Sequence, residues 1–138
     1  MADNGWTGQK AGKGFYEKTD DGILSLRPDA MEYEPRDKSE FDSLESASGS
    51  PSDKVAHVIR EGEDRAADFA REATYKSLSY AARRLGEIAD DIVNIDRAMR
   101  WGFNWKLGPF ETWDAIGVEF GLEAMQERGI DVPSWVTT

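Results

Sequence analysis

Between Ala98 and Gly117 the chain reads Ala-Met-Arg-Trp-Gly-Phe-Asn-Trp-Lys-Leu-Gly-Pro-Phe-Glu-Thr-Trp-Asp-Ala-Ile-Gly, placing three of five tryptophans beside a Gly-Pro break. Such a segment can close one helix and open another. Pro109 suits a first helical turn, because its φ is already set and its missing N–H would have had no partner there. The surrounding sequence must therefore be helical on both sides of a tight, aromatic corner.

Helical periodicity begins at Ser52. Ser52 or Asp53 is positioned to cap a short helix with Val55, Val58 and Ile59 on one face, and Gly62 is expected to end it in a left-handed conformation. A long helix is predicted from Asp64 to Ala89, with an apolar stripe of Ala66, Phe69, Ala73, Leu78, Ala81, Leu85 and Ile88. Gly86 falls inside that span, at a cost of about 1 kcal/mol. Asp90 or Asp91 caps a third helix carrying Ile92, Ile95 and Met99 and ending at Gly102. Pro109–Ile116 and Val118–Arg128 follow, closed by Gly117 and Gly129, and Trp135 is expected to fold back on the bundle.

Residues 1–34 differ in kind. Gly5, Gly8, Gly12 and Gly14 oppose helix formation, so this stretch reads as a loop that allows close backbone approach to a helix. Phe15–Lys18 and Ile23–Leu26 flank Thr-Asp-Asp-Gly, which predicts a two-stranded hairpin needing further packing. Residues 35–54, rich in serine and interrupted by Pro35, Gly49 and Pro51, read as a connector in which Phe41 and Leu44 anchor one helical turn. The fold class is mainly α: a bundle of about five helices, residues 55–138, behind a small N-terminal β-hairpin.

Several functions are excluded or disfavoured by composition. With 27 acidic against 17 basic residues and a net charge of -10, a general nucleic-acid or anionic-membrane surface is disfavoured. That acidity fits either adaptation to high salt or an ordinary solvated surface. No apolar run reaches the ~20 residues of a membrane span, and the N-terminus lacks a secretory signal, so a soluble cytoplasmic protein is expected. Cysteine is absent, which removes disulfides and thiolate chemistry.

Chemical motifs are sparse. Gly12-Lys13 would need glycine where Thr7 stands to make a phosphate loop, and Gly12-Lys-Gly14 would need a third glycine at Glu17 for dinucleotide binding. His57, the lone histidine, reads as a surface residue with neither a triad nor zinc partners. The carboxylates Glu61, Glu63, Asp64, Asp90 and Asp91 read as helix-start charges. Trp101, Phe103, Trp105, Phe110 and Trp113 read first as core around the helix junction, and second as an apolar slot suited to an acyl group.

Two segments together resemble the C-terminal domain of the 3-hydroxyacyl-CoA dehydrogenases. Gly5-Trp-Thr-Gly-Gln-Lys-Ala-Gly-Lys-Gly-Phe-Tyr16 is similar to the Gly-x-x-Gly-x-Lys-x-Gly-x-Gly-Phe-Tyr ending of that domain. Ile95-Asp-Arg-Ala-Met-Arg-Trp-Gly102 and Leu107-Gly-Pro-Phe-Glu-Thr-Trp-Asp-Ala-Ile-Gly117 are similar to its Ile-Asp-x-Ala-Met-x-x-Gly and Met-Gly-Pro-Phe-Glu-Leu-x-Asp-x-x-Gly signatures. Their order implies that residues 1–34 end a first helical repeat and that residues 55–138 form a second.

The resemblance implies an NAD-dependent oxidation of 3-hydroxyacyl-CoA in fatty-acid β-oxidation. It also implies an NAD-binding domain supplied in cis or in trans, an acyl-CoA substrate and a homo-oligomer. Gly108, Pro109 and Phe110 are the substrate contacts it would carry over. The family's His-Phe-Phe-Asn-Pro-like catalytic segment, its paired glutamate and its NAD fingerprint have no counterpart among these residues. This chain is thus expected to hold no catalytic, NAD or metal residue, and to serve in substrate covering and as a dimer or repeat interface. The competing class is a stand-alone helical interaction or acyl-CoA-binding module.

Overall fold

A computed structural model describes residues 1–36 and 39–137, which divide into two compact units, Met1–Ser39 and Glu40–Thr138. Their boundary lies within the serine-rich stretch read as a connector.

The first unit is a three-stranded antiparallel sheet, β1 (Tyr16–Thr19), β2 (Gly22–Arg27) and β3 (Glu32–Pro35), in the order β1-β2-β3. The expected hairpin is present, with Thr19 opposite Gly22 and Tyr16 opposite Ser25, and Gly22 takes the positive φ of 141°. The third strand corrects the two-stranded expectation. Its Glu-Tyr-Glu-Pro sequence holds one apolar residue, and the turn before it reaches positive φ at Met31 instead of at a glycine, so neither usual signal was present. The strand matters because Tyr33 packs on Trp6 at a ring separation of 5.4 Å, with Lys13 Nζ over both rings at 4.8 and 5.1 Å. That stack supplies part of the packing a bare hairpin lacks.

The second unit contains α1 (Asp42–Glu45), α2 (Pro51–Glu61), α3 (Arg65–Arg84), α4 (Ile92–Phe103), α5 (Pro109–Ile116) and α6 (Val118–Glu127). Its core joins Ile59 of α2, Tyr75, Leu78 and Ala82 of α3, Ile95 of α4, Phe110, Trp113 and Ile116 of α5, and Met125 of α6. A single-turn helix at Ser134–Val136 returns Trp135 to this core, where its Nε1 donates to Ala82 O at 3.3 Å and its ring faces Phe110 at 6.2 Å.

Sequence and structure differ at several boundaries. α2 starts two residues earlier than expected, because Ser50 is the cap: its hydroxyl accepts from Asp53 N while Asp53 Oδ2 accepts from Ser50 N, closing a capping box over Pro51. Gly62 is extended, with φ -63° and ψ 136°, and not left-handed. Its reason is space, since a Cβ there would lie 2.5 Å from Ala67 Cβ and 2.7 Å from Val58 O. The anchor in α1 is buried Ser43, whereas Leu44 stands 53% exposed.

The long helix ends at Arg84, five residues short of the expected Ala89. Leu85 turns extended and Gly86 takes φ +81°, after which Gly86 N donates to Ala89 O at 2.8 Å. A single glycine inside an apolar pattern is compatible with a continuing helix, but here it is the stop. The buried face is also rotated from the expected stripe: Ala67, Tyr75, Leu78, Ser79 and Ala82 are buried, Ala81 with them, while Phe69 is 75% exposed and Ile88 68%. α4 runs one residue past Gly102 and closes on Asn104 in the left-handed region at φ 56°. α5 occupies the expected span, and α6 stops one residue sooner, at Glu127.

Candidate functional site

The corner between α4 and α5 is built around one carboxylate. Helix α5 begins at Pro109 with Gly108 as its N-cap residue, and a glycine offers no side chain to accept from the first N–H groups. Asp96, about two turns back from the end of α4, does this instead. Its Oδ1 accepts from Phe110 N at 2.8 Å and its Oδ2 from Glu111 N at 3.1 Å. Glu111 reaches back to accept from Gly108 N at 2.7 Å and takes Arg100 Nη1 at 2.8 Å. Two helices are locked by one set of charge-assisted bonds.

Gly108 is required here sterically. A Cβ on it would fall on Asp96 Cα, Cβ and Oδ1 at distances no real contact reaches. Close approach of Gly108 to α4 is what brings the Asp96 carboxylate onto the α5 terminus. Burial pushes the Asp96 carboxyl above the ordinary carboxylate range; the bonds from Phe110 and Glu111 pull the other way, and the charges of Glu111 and Asp114 add to the rise. Sequence reading passed over Asp96 as part of a motif. The available signal was its phase, since a charged residue sharing a helical face with Ile92, Ile95 and Met99 must be buried and paired.

The aromatic residues of this corner divide. Phe110 and Trp113 belong to the core at 7% and 2% exposure, and Trp113 Nε1 donates to Val118 O at 3.2 Å. Trp101, Phe103 and Trp105 are 78%, 70% and 46% exposed. They follow the last buried turn of α4, where the chain passes outward before Gly108 returns it, so the expectation of a wholly internal cluster is corrected for these three.

Beside the corner lies an open groove of about 350 Å3 between α3 and α4, floored by Tyr80, Ala81, Ile95, Met99 and Trp105 and touched by Pro109. Of the residues that resemblance put forward as substrate contacts, Gly108, Pro109 and Phe110 are all buried. Pro109 lines this groove, Gly108 faces Asp96, and Phe110 lines a smaller cavity of about 190 Å3 with Trp113 and Trp135. The three do not share one pocket wall.

His57 has neighbours that the sequence did not announce. Its Nε2 is 2.8 Å from Ser46 Oγ and its Nδ1 3.1 Å from Glu61 Oε2, a serine–histidine–carboxylate row. The row is not set for nucleophilic attack, because Ser46 donates its hydroxyl hydrogen to Asp42 O at 2.6 Å. The adjoining cleft is lined by Asp42, Glu61, Glu63 and Asp64, a field that opposes a developing oxyanion. The histidine is two-thirds covered, with 30% of its side chain exposed, and so is less a surface residue than expected.

Among the other carboxylates, Asp64 caps α3 through Ala67 N at 3.0 Å and ties it to Ser43 N at 2.8 Å. The Ser43 and Ala67 backbone bonds hold its carboxyl below the usual range. Asp91, not Asp90, caps α4 through Asn94 N at 2.8 Å, and Glu61 stands at the end of α2, not at a helix start. Among the described residues there is no cluster of three or more potential metal ligands, and no helix long and apolar enough to cross a membrane.

The glycine loop does not fit a dinucleotide phosphate. Gly8 N donates to Lys13 O at 3.0 Å, Gly12 N to Gln9 O at 3.1 Å and Gly14 N to Tyr16 O at 3.0 Å, leaving these N–H groups turned to the loop itself. Lys13 is held by Glu17 at 3.4 Å and by the two rings beneath it. The close approach expected of this loop is of loop on loop: a Cβ at Gly14 would lie 2.8 Å from Gly8 Cα.

Residues 70–134 match the family described as 3-hydroxyacyl-CoA dehydrogenase, C-terminal domain. The chain is 43% identical over 137 residues to a protein of Bacillus subtilis (strain 168) named "Probable 3-hydroxyacyl-CoA dehydrogenase". That alignment takes in 99% of this chain but spans only 17% of the length of the relative. No solved structure matches the chain. With the Asp96-capped corner near their centre, residues 70–134 thus match the C-terminal domain of the 3-hydroxyacyl-CoA dehydrogenases, in a chain that is similar from end to end to a protein named for that family.

Proposed function

We propose that this chain acts as a helical C-terminal part of an NAD-dependent 3-hydroxyacyl-CoA dehydrogenase of fatty-acid β-oxidation. It covers the acyl end of the substrate and provides an interface, while NAD and the proton-transfer residues belong to a domain elsewhere, in cis or in trans. The observation that carries this reading is the end-to-end identity of 43% with a relative bearing that name. Two physical features support it. The N–H groups of Gly8, Gly12 and Gly14 are bonded within the glycine-rich unit itself, and the groove beside Pro109 is apolar, as an acyl chain requires.

In this assignment the chain's own residues bind and orient, and none moves a proton. Asp96 and Gly108 fix the angle between α4 and α5, which sets the wall formed by Ile95, Met99 and Pro109. Apolar walls exclude water from whatever occupies the groove. NAD, when bound by the partner domain, supplies the hydride acceptor.

The test is acetoacetyl-CoA reduction, followed by loss of NADH absorbance. The chain alone is expected to show none, and addition of the NAD-binding domain of such a dehydrogenase is expected to give turnover beyond that of either part. Turnover by the chain alone, or no effect of the chain on its partner, would overturn the reading.

A further inference from the structure

His57 links the first two helices of the second unit, and its contacts fix how many protons its ring carries. Nδ1 lies 3.1 Å from Glu61 Oε2, and a carboxylate only accepts, so Nδ1 donates. Nε2 lies 2.8 Å from Ser46 Oγ. A serine hydroxyl has a single hydrogen, and that of Ser46 goes to Asp42 O at 2.6 Å, because a carbonyl offers no hydrogen in return. Nε2 must therefore donate as well. Both ring nitrogens donate only in the imidazolium form.

The charges around the ring give that proton a second task. The cleft beside it is lined by Asp42 of α1, Glu61 of α2, and Glu63 and Asp64 of the segment before α3, with no lysine or arginine among the described residues of the lining. Glu45 of α1 adds negative charge, and Asp53 of α2 is bound to Ser50. The cations of the neighbouring elements act elsewhere. Arg60 donates to Ile116 O at 2.7 Å and Arg71 to Ile59 O at 2.8 Å, while Lys54 and Arg65 are exposed and outside the cleft. A charged His57 is thus the positive centre set against these carboxylates, and its ring, 30% exposed, can exchange protons with water.

Loss of one proton cannot leave the row unchanged. Glu61 retains the hydrogen on Nδ1, so Nε2 becomes an acceptor facing an oxygen whose own hydrogen points to Asp42 O. Either the Ser46 hydroxyl swings to Nε2 and abandons the bond back to its own helix, or the contact between α1 and α2 is given up. In both cases the cleft carboxylates lose the charge between them. The start of α1 has a separate hold, since Ser43 N and Ser43 Oγ each donate to the Asp64 carboxylate at 2.8 Å.

We propose that His57 is a proton-operated latch for α1: charged, it holds Ser46 and the end of α1 against α2, and neutral, it lets that end loosen while Ser43 stays bound to Asp64. The latch goes beyond the dehydrogenase assignment and does not depend on it, so the hydride-transfer test and this one fail separately.

Nitrogen-15 NMR of the His57 ring in the full chain, titrated from about pH 5 to about pH 8, tests the proton count. Both nitrogens are expected to carry hydrogen at the acid end. At the alkaline end Nδ1 should keep its hydrogen and Nε2 lose it, the reverse of the preference of free histidine. Amide exchange, expressed as protection factors to remove the intrinsic pH dependence, should show the Glu45 and Ser46 amides losing about two- to tenfold protection over the same titration, the scale of one hydrogen bond. His57→Gln has no titrating ring and should abolish that step. A neutral ring with its hydrogen on Nε2, α1 protection that stays constant through the titration, or an equal loss in His57→Gln would overturn the proposal, and the first two are read on the wild-type chain, whatever the variant's folding.

Discussion

Replacing Asp96 by alanine removes both acceptors that hold the start of α5, and the structure sets the size of the loss. Two backbone donors, Phe110 N and Glu111 N, lose partners at 2.8 and 3.1 Å inside a corner where Asp96 is 7% exposed. Loss of an N-cap costs about 0.5–2 kcal/mol, and a hydrogen bond to a charged group contributes about 1.5–3 kcal/mol. Against this, alanine relieves the burial that pushes the Asp96 carboxyl upward, so the net loss should be about 2 kcal/mol. In a domain of this size that lowers the melting temperature by about 8–16 °C. Asp96→Asn keeps one acceptor but turns an amide donor toward the N–H pair, and should fall between alanine and wild type.

The pH dependence separates this account from simple loss of packing. Because the folded carboxyl titrates above its unfolded value, the native state holds more protons between those two values. This group therefore makes stability fall as pH rises through that window, and the slope should vanish in both variants. Urea denaturation at a series of pH values measures both effects. A D96A variant within about 0.5 kcal/mol of wild type, the scatter of neutral surface changes, would refute the claim that this carboxylate caps α5.

Two further outcomes follow from the same contacts. Gly108→Ala drives a methyl group into the Asp96 backbone and side chain, which cannot both yield; overpacking should cost about 1–3 kcal/mol in a denaturant melt, although alanine at an ordinary exposed cap is tolerated far better. Asp64, held below its usual range by the Ser43 and Ala67 N–H bonds, contributes stability that is present above the unfolded carboxylate value. That contribution is lost as pH falls through its folded value, so Asp64→Asn should flatten the acid limb of the stability curve, read by fluorescence melts from neutral pH downward.

The family motif and the α4–α5 break were legible because both depend on local chemistry. Pro109 and Gly117 place α5 to the residue, since a fixed φ at one end and a positive φ of 90° at the other leave little freedom. Asp91 and Asp64 act as caps for the same local reason. The end of α3 is not legible locally, because Gly86 between Leu85 and Ile88 is compatible with a continuing helix and with a stop; the bond from Gly86 N to Ala89 O marks where the helix has ended.

What the sequence determined by itself is therefore the helical class, the register of the elements bounded by proline or a cap, and the motif that marks the family. Tertiary structure alone decided which face of α3 is buried, which corner aromatics enter the core, and what Asp96 does. The physical reason is range. A cap or a proline acts within one turn, whereas burial depends on the neighbour across the core: Gly108 has no side chain because Asp96, twelve residues away, occupies that space, and Trp101 and Phe103 face water because no described element of their own unit covers them.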